Sequence, residues 1–200
     1  MLHSISSDNV EQTESMTHLD SRFGSIDDLA IVAAGQLVQL RGKHIDDASN
    51  DYDWKCDKEL AAFDGATPYT GTFQAFRSNI QRDLRETTIY RKTYAVLSKE
   101  TSEHIGNVMY YGYDPLRQEA ELGITIGNKE FWGRGYGREI VDLMVGVMAS
   151  ELSLLKVYLH TLTWNERAQR SFAASGFMRI GEVVRAGRSY YRMERLLPPE

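Results

Sequence analysis

The chain has 200 residues, 42% of them hydrophobic, and a formal net charge of −5. That length suits one domain with a real core. The acidic balance and the lack of a basic run argue against a nucleic-acid partner, and no apolar run approaches the roughly 20 residues that span a bilayer. The single cysteine, Cys56, excludes an internal disulfide and fits a reducing cytoplasm. No histidine motif accompanies it, so it reads as a plain thiol.

Residues 1–25 are polar and read as a flexible tail ahead of one domain over 26–200. They lack the basic and apolar regions of a signal peptide. Residues 26–34 read as a short helix capped by Ser25, with Asp27 and Asp28 in its first turn. Residues 36–41, with Leu37, Val38 and Leu40, read as the first strand. Residues 44–65 read as broken helix, with Trp54, Leu60, Ala61 and Phe63 as apolar contacts. After a turn at Pro68 and Gly71, Phe73, Phe76, Ile80 and Leu84 form one helical stripe. Residues 93–98 and 105–113 read as a hairpin across a polar loop, with Tyr110, Tyr111 and Tyr113 as core and rim.

Residues 119–152 organise the rest. Leu122, Ile124 and Ile126 alternate with Glu121, Gly123 and Thr125, the pattern of a strand. Ile140, Leu143, Met144, Val147 and Met148 recur at the spacing of one buried helix face. Between them runs Trp132-Gly133-Arg134-Gly135-Tyr136-Gly137-Arg138. Its three glycines let the backbone pass close to something, and the helix start aims free N–H groups at that place. A phosphate is the natural occupant; a tight turn with no ligand is the alternative. A dinucleotide loop does not fit, because a Gly-x-Gly-x-x-Gly begun at Gly133 ends on Arg138 and one begun at Gly135 ends on Ile140. A triphosphate loop would end in Gly-Lys-Ser/Thr, and this one continues Gly-Arg-Glu.

Residues 155–161 read as another strand, and the helix after Trp164 and Asn165 closes at Ser175-Gly176. Residues 177–184 and 189–196 form a last hairpin across Ala186-Gly187, and Pro198-Pro199-Glu200 stops it.

Trp132-x-x-Gly135-x-Gly137 resembles the pyrophosphate loop of the GCN5-related N-acetyltransferases (GNAT), in the branch with the ribosomal-protein N-acetyltransferases. AELGITIG before it is part of the likeness. Asn165-x-x-Ala168…Gly176-Phe177 resembles the family's downstream helix. The resemblance spans roughly residues 36–197 and loosens in the first third.

It implies an α/β (α+β) fold, with a mixed, mostly antiparallel sheet of six to seven strands. Helices flank that sheet, which splays at its central parallel strands. It implies acetyl-CoA as co-substrate, no metal, and an amine acceptor: a small molecule, a peptide or a protein N-terminus. The acetyl group would move by direct attack, in the cytoplasm, in a monomer or homodimer, with no membrane or nucleic-acid partner. Gly133, Arg134, Gly135, Tyr136, Gly137 and Arg138 would hold the pyrophosphate beside Trp132. Ile124, Ile126, Asn165 and Phe172 would line the pantetheine arm. Trp54 and Tyr111 would touch the acceptor, Trp54 being equally a core residue, and the first two helices would border its pocket.

The acceptor must lose protons, and a lysine-like amine near pKa 10.4 lies about 4 to 5 kcal/mol from its neutral form at pH 7. Glu121 matches the branch's acidic strand position, as base or as anchor for a cationic substrate; Glu119, Glu130 and His160 are secondary candidates. Phe172 stands where many members carry the tyrosine that protonates the departing thiolate, and Ala168 lacks the hydroxyl of some relatives. Water, Ser171, Ser175 or a tyrosine from elsewhere would serve instead. The same departure favours a rival reading, a non-catalytic acyl-CoA-binding sensor.

Overall fold

The computed structural model describes residues 30–86 and 88–198. The expected tail over 1–25 and the start of the expected first helix lie outside them. Ile31–Ala34 is a strand, β1, rather than helix. Ile31 and Val32 are β-branched and fit a pleat better than a helix. A tight turn, Gly35 N–H to the Val38 carbonyl at 2.9 Å, folds β1 antiparallel onto β2 (Val38–Gly42). Among the described residues the sheet therefore has eight strands, one more than the sequence pattern suggests.

A 3₁₀ turn at Ile45–Asp47 leads into α1 (Ala48–Cys56) and α2 (Lys58–Phe63). Asp57 caps α2 through the Glu59 and Leu60 N–H groups. Helix α3 (Phe73–Asp83) starts at a Thr72 cap. Its stripe packs on α1 through edge contacts of Phe73 and Phe76 with Tyr52, yet no α3 residue is fully buried. Strands β3 (Lys92–Ser98), β4 (His104–Asp114) and β5 (Glu119–Ile126) continue the meander. Helix α4 (Tyr136–Glu151) crosses to β6 (Lys156–Leu162), the parallel neighbour of β5. Helix α5 (Glu166–Ala174) leads to β7 (Met178–Arg185) and β8 (Arg188–Leu196). The sheet order is β1-β2-β3-β4-β5-β6-β8-β7, antiparallel except at β5–β6. Among the described residues, no helix is long and apolar enough to cross a membrane.

The core lies between the sheet and α4, where Ile140, Val141, Met144 and Met148 are sealed against Leu40, Val96, Val108 and Leu159. Beside it, a polar cluster pins the first helices to the sheet. Arg41 grips both oxygens of Asp47, at 2.9 and 2.7 Å. Lys43 reaches Asp51 at 2.7 Å and Asn107 at 2.8 Å. Burial alone would raise the Asp47 pKa, but the Arg41 hydrogen bond, the Lys43 charge and the His44 N–H hold it well below the usual carboxylate range.

Asp47→Asn strands Arg41 in the cluster, and urea unfolding at pH 7 should show a loss of about 3–5 kcal/mol. The folded-state pKa of Asp47 is depressed, so its stabilisation is full above the unfolded value near 3.9 and fades as pH falls below it. The gap between variant and parent should hold at pH 7 and narrow below about pH 4. An equal gap at pH 7 and pH 2.5 would contradict this.

Candidate active site

Strand β5 pairs with β4 along most of its length, but with β6 only at Glu119↔Lys156, Ala120↔Val157 and Glu121↔Tyr158. Beyond Glu121 the strands part. The gap opens into a cavity of about 670 Å³, lined on one side by Gly123, Ile124, Thr125 and Ile126 and on the other by His160, Thr161 and Leu162. The phase of the β4–β5 ladder decides what β5 offers there. Gly127 N–H bonds the Ile105 carbonyl at 2.9 Å. Alternation then gives the backbone groups of residues 125, 123 and 121 to β4 and turns those of Ile124 and Ile126 into the split. The Trp132 indole N–H takes the Ile126 carbonyl at 2.8 Å.

The glycine loop closes one end of the split. Gly133 and Gly135 have φ of 72° and 88°, the left-handed region that disfavours side chains. The first bond of α4 runs from Glu139 N–H to the Gly135 carbonyl at 3.2 Å, so the N–H groups of residues 136–138 have no helical acceptor. Gly135, Gly137 and Arg138 line the cavity; Tyr136 does not and is buried in the core. A Cβ on Gly137 would sit 3.1 Å from Ser171 Oγ, so the glycine lets α4 and α5 approach closely. Glu139, unmarked in the sequence reading, accepts from Leu37 N–H at 2.7 Å and Val38 N–H at 3.2 Å, tying the β1–β2 turn to the head of α4.

Trp132 holds the loop together. Its ring meets Phe63 edge-on at 5.4 Å and carries the Arg167 guanidinium 3.6 Å from its centre. That stack links α2, the loop and α5 across the cavity. Asn165 caps α5, its side-chain oxygen accepting from Ala168 N–H at 3.2 Å. Phe172 is buried against Phe177 and lines the cavity with Ala168 and Ser171. Ser175 donates to the Arg138 carbonyl at 3.3 Å. The buried Thr161 hydroxyl has no partner among the described residues.

The other end carries the titratable groups. Glu121 is 5% exposed and does not itself line the cavity. Its Oε1 lies 2.6 Å from His160 Nδ1 and 3.6 Å from an Arg185 guanidinium nitrogen. His160 does line the cavity, as do Tyr111 and Tyr190. Burial and the Glu121 charge push the Tyr111 and Tyr158 hydroxyls upward, so both stay protonated at neutral pH. Glu119 is held by Lys156 at 2.7 Å, and Glu130 is exposed away from the cavity.

Two expectations about the acceptor side change. Trp54 does not line the cavity; it packs on His104 at 4.8 Å and against Gly127, where a Cβ would strike its ring. Helix α3 contributes nothing to the wall, while Lys55 from α1 and Leu60, Phe63, Asp64 and Ala66 from α2 and its exit do.

Residues 37–178 match the model of the Acetyltransferase (GNAT) domain. The chain belongs to the GNAT acetyltransferase family. It is an N-acetyltransferase. A relative described as uncharacterized N-acetyltransferase p20, from Bacillus licheniformis, is 27% identical over 124 residues, 61% of this chain and 68% of that one. The fold resembles that of spermidine N-acetyltransferase from Vibrio cholerae, solved with CoA and spermine, at TM-score 0.72 and 20% identity over 81% of this chain and 96% of that one. It also resembles aminoglycoside acetyltransferase AAC(6')-Ib, solved with coenzyme A, at TM-score 0.67 and 19% identity over 80% of this chain and 94% of that one. In this GNAT chain the loop, the split and His160, backed by Glu121, meet at one cavity.

Gly135→Ala should cost about 1–2 kcal/mol in urea unfolding from its left-handed φ alone, since the nearest atom to an added Cβ, on Leu37, is 3.8 Å away. A cost near zero would mean that the loop relaxes out of this geometry.

Proposed function

We propose that the chain transfers the acetyl group of acetyl-CoA to a primary amine by direct attack. The observation that carries this is the split between β5 and β6, which joins free helix-start N–H groups at one end to a histidine–carboxylate pair at the other. The N–H groups of residues 136–138 receive the pyrophosphate, helped by Arg138. The pantetheine amides take the place of the missing β6 ladder against Ile124 and Ile126. A strand-edge N–H then steadies the oxyanion that forms on the thioester carbonyl.

His160, rather than Glu121 alone, is the group that faces the acceptor. With Nδ1–H donated to Glu121, its Nε2 is left as a proton acceptor. The amine nitrogen attacks the carbonyl carbon and its proton passes to Nε2. The C–S bond then breaks, and the thiolate leaves with the electron pair and is reprotonated from His160 or water. Glu121 orients the imidazole through that hydrogen bond. With His160 and Arg185 both on Oε1, Glu121 is poorly placed to anchor a cationic substrate.

Phe172 supplies no proton, and Ser175 is spent on the Arg138 carbonyl. Ser171, Tyr111 and Tyr190 are the hydroxyl side chains of the cavity wall outside β5 and β6. A thiol with pKa near 8.5 leaves tolerably without a dedicated acid.

Titration calorimetry with acetyl-CoA, followed by thiol release over a panel of amines, tests the reading. Binding together with release supports it, and binding without release would point to a sensor. His160→Ala should lower kcat by about 10²–10⁴-fold while acetyl-CoA still binds. Glu121→Gln should also lower kcat, and an unchanged rate in both variants would remove this pair from the mechanism.

A further inference from the structure

The last hairpin carries a charge arrangement that the acyl-transfer chemistry does not use. Arg185 and Arg188 stand directly opposite each other at its tip. Like charges in that position destabilise a hairpin. The turn between them allows little escape, because Ala186 and Gly187 both have positive φ, 47° and 74°, as a tight two-residue turn requires.

The tip lies beside the acceptor end of the cavity, next to its wall residues rather than among them. On one side, an Arg185 nitrogen lies 3.6 Å from Glu121 Oε1, the atom that also receives His160. Arg185 makes no hydrogen bond among the described residues, and its side chain is half exposed. On the other side, Arg188 donates to the Gly65 carbonyl at 2.8 Å, between the wall residues Asp64 and Ala66. Tyr190, which lines the cavity, sits so close to Gly65 that a Cβ there would strike its hydroxyl. Lys55, a cation of the wall itself, is paired at 3.2 Å with the wall carboxylate Asp64. Arg185, Arg188 and Lys55 thus face two carboxylates, Glu121 and Asp64, which leaves this end net positive.

Resting on the acyl-transfer reading above, we infer that the acceptor is an amine that also carries a carboxylate a few bonds away, an amino-acid-like molecule, bound by Arg185 with Arg188 beside it. A guanidinium presents paired N–H donors that match the two oxygens of a carboxylate. His160 and Arg185 touch the same oxygen of Glu121, so the group that takes the amine's proton and the group that takes its carboxylate are neighbours. A polyamine offers Arg185 and Arg188 no anion, and Asp64, the carboxylate of this wall, is already held by Lys55.

The test compares matched acceptors that differ only in the carboxylate, such as leucine with isopentylamine and phenylalanine with phenethylamine. Spermidine and phosphoethanolamine are further arms, and thiol release is the readout. With rates expressed per unprotonated amine, because the carboxylate also lowers the amine's basicity, the carboxylate-bearing member of each pair should show kcat/KM higher by about tenfold or more, the worth of a hydrogen bond to a charged group. Arg185→Gln combined with Arg188→Gln should bring that ratio close to one, with acetyl-CoA binding by calorimetry intact. Because Arg185 also touches Glu121, the absolute rate of the variant will move; the ratio within a pair cancels that effect. Equal or better turnover of the decarboxylated amines, spermidine or phosphoethanolamine would overturn the inference, as would an unchanged ratio in the double variant. Either result leaves the transferase reading standing. Release from no amine at all would overturn that reading, and this inference with it.

Discussion

The rest of the structure depends on the point where β5 and β6 stop pairing. Three residue pairs hold them together, and beyond Glu121 the ladder ends. A buried strand edge with unpaired N–H and C=O groups is costly. Here the cost falls on a short stretch, and one exposed carbonyl, that of Ile126, is already taken by the Trp132 indole. What stays open is a slot with backbone donors and acceptors along one wall, which suits an extended chain of amides. The buried, partnerless Thr161 hydroxyl lies on the opposite wall of the same slot.

Two ends of the slot are fixed by different physics. At one, glycine conformations shape the loop, and helix polarity makes it a place for negative charge. That end is rigid because Glu139 ties it to the β1–β2 turn, and because Trp132, Phe63 and Arg167 stack across it. At the other end, buried Glu121 is compensated by His160 and approached by Arg185. A lone buried carboxylate would be expensive. Shared between an imidazole and a guanidinium, it becomes a way to hold the imidazole in one tautomer. The departure at Phe172 fits this division of labour, since the side chain serves the wall of the slot and contributes no proton.

Much of the architecture was readable from local pattern. Alternating side chains mark strand β5 at 119–126, an apolar face marks helix α4, and turn chemistry marks Ala186-Gly187. These depend on residues close in sequence. At residues 31–34 a capped helix and a short strand compete within a few residues, and only pairing with β2 decides between them. The splay of the sheet came from family likeness alone, because where a ladder ends depends on two strands 30 or more residues apart.

By itself, the sequence determined the glycine loop, the strand and helix around it, and the family, since turn conformations and periodic faces are written in consecutive side chains. Tertiary structure decided what those parts do together. It turned Trp54 away from the cavity and gave Trp132 to the Ile126 carbonyl. It moved His160 from a secondary candidate to the partner of Glu121, 39 residues away in the chain, and brought Arg185 to the same carboxylate oxygen. Such contacts are set by strand register and by the divergence of β5 from β6, which no local pattern encodes.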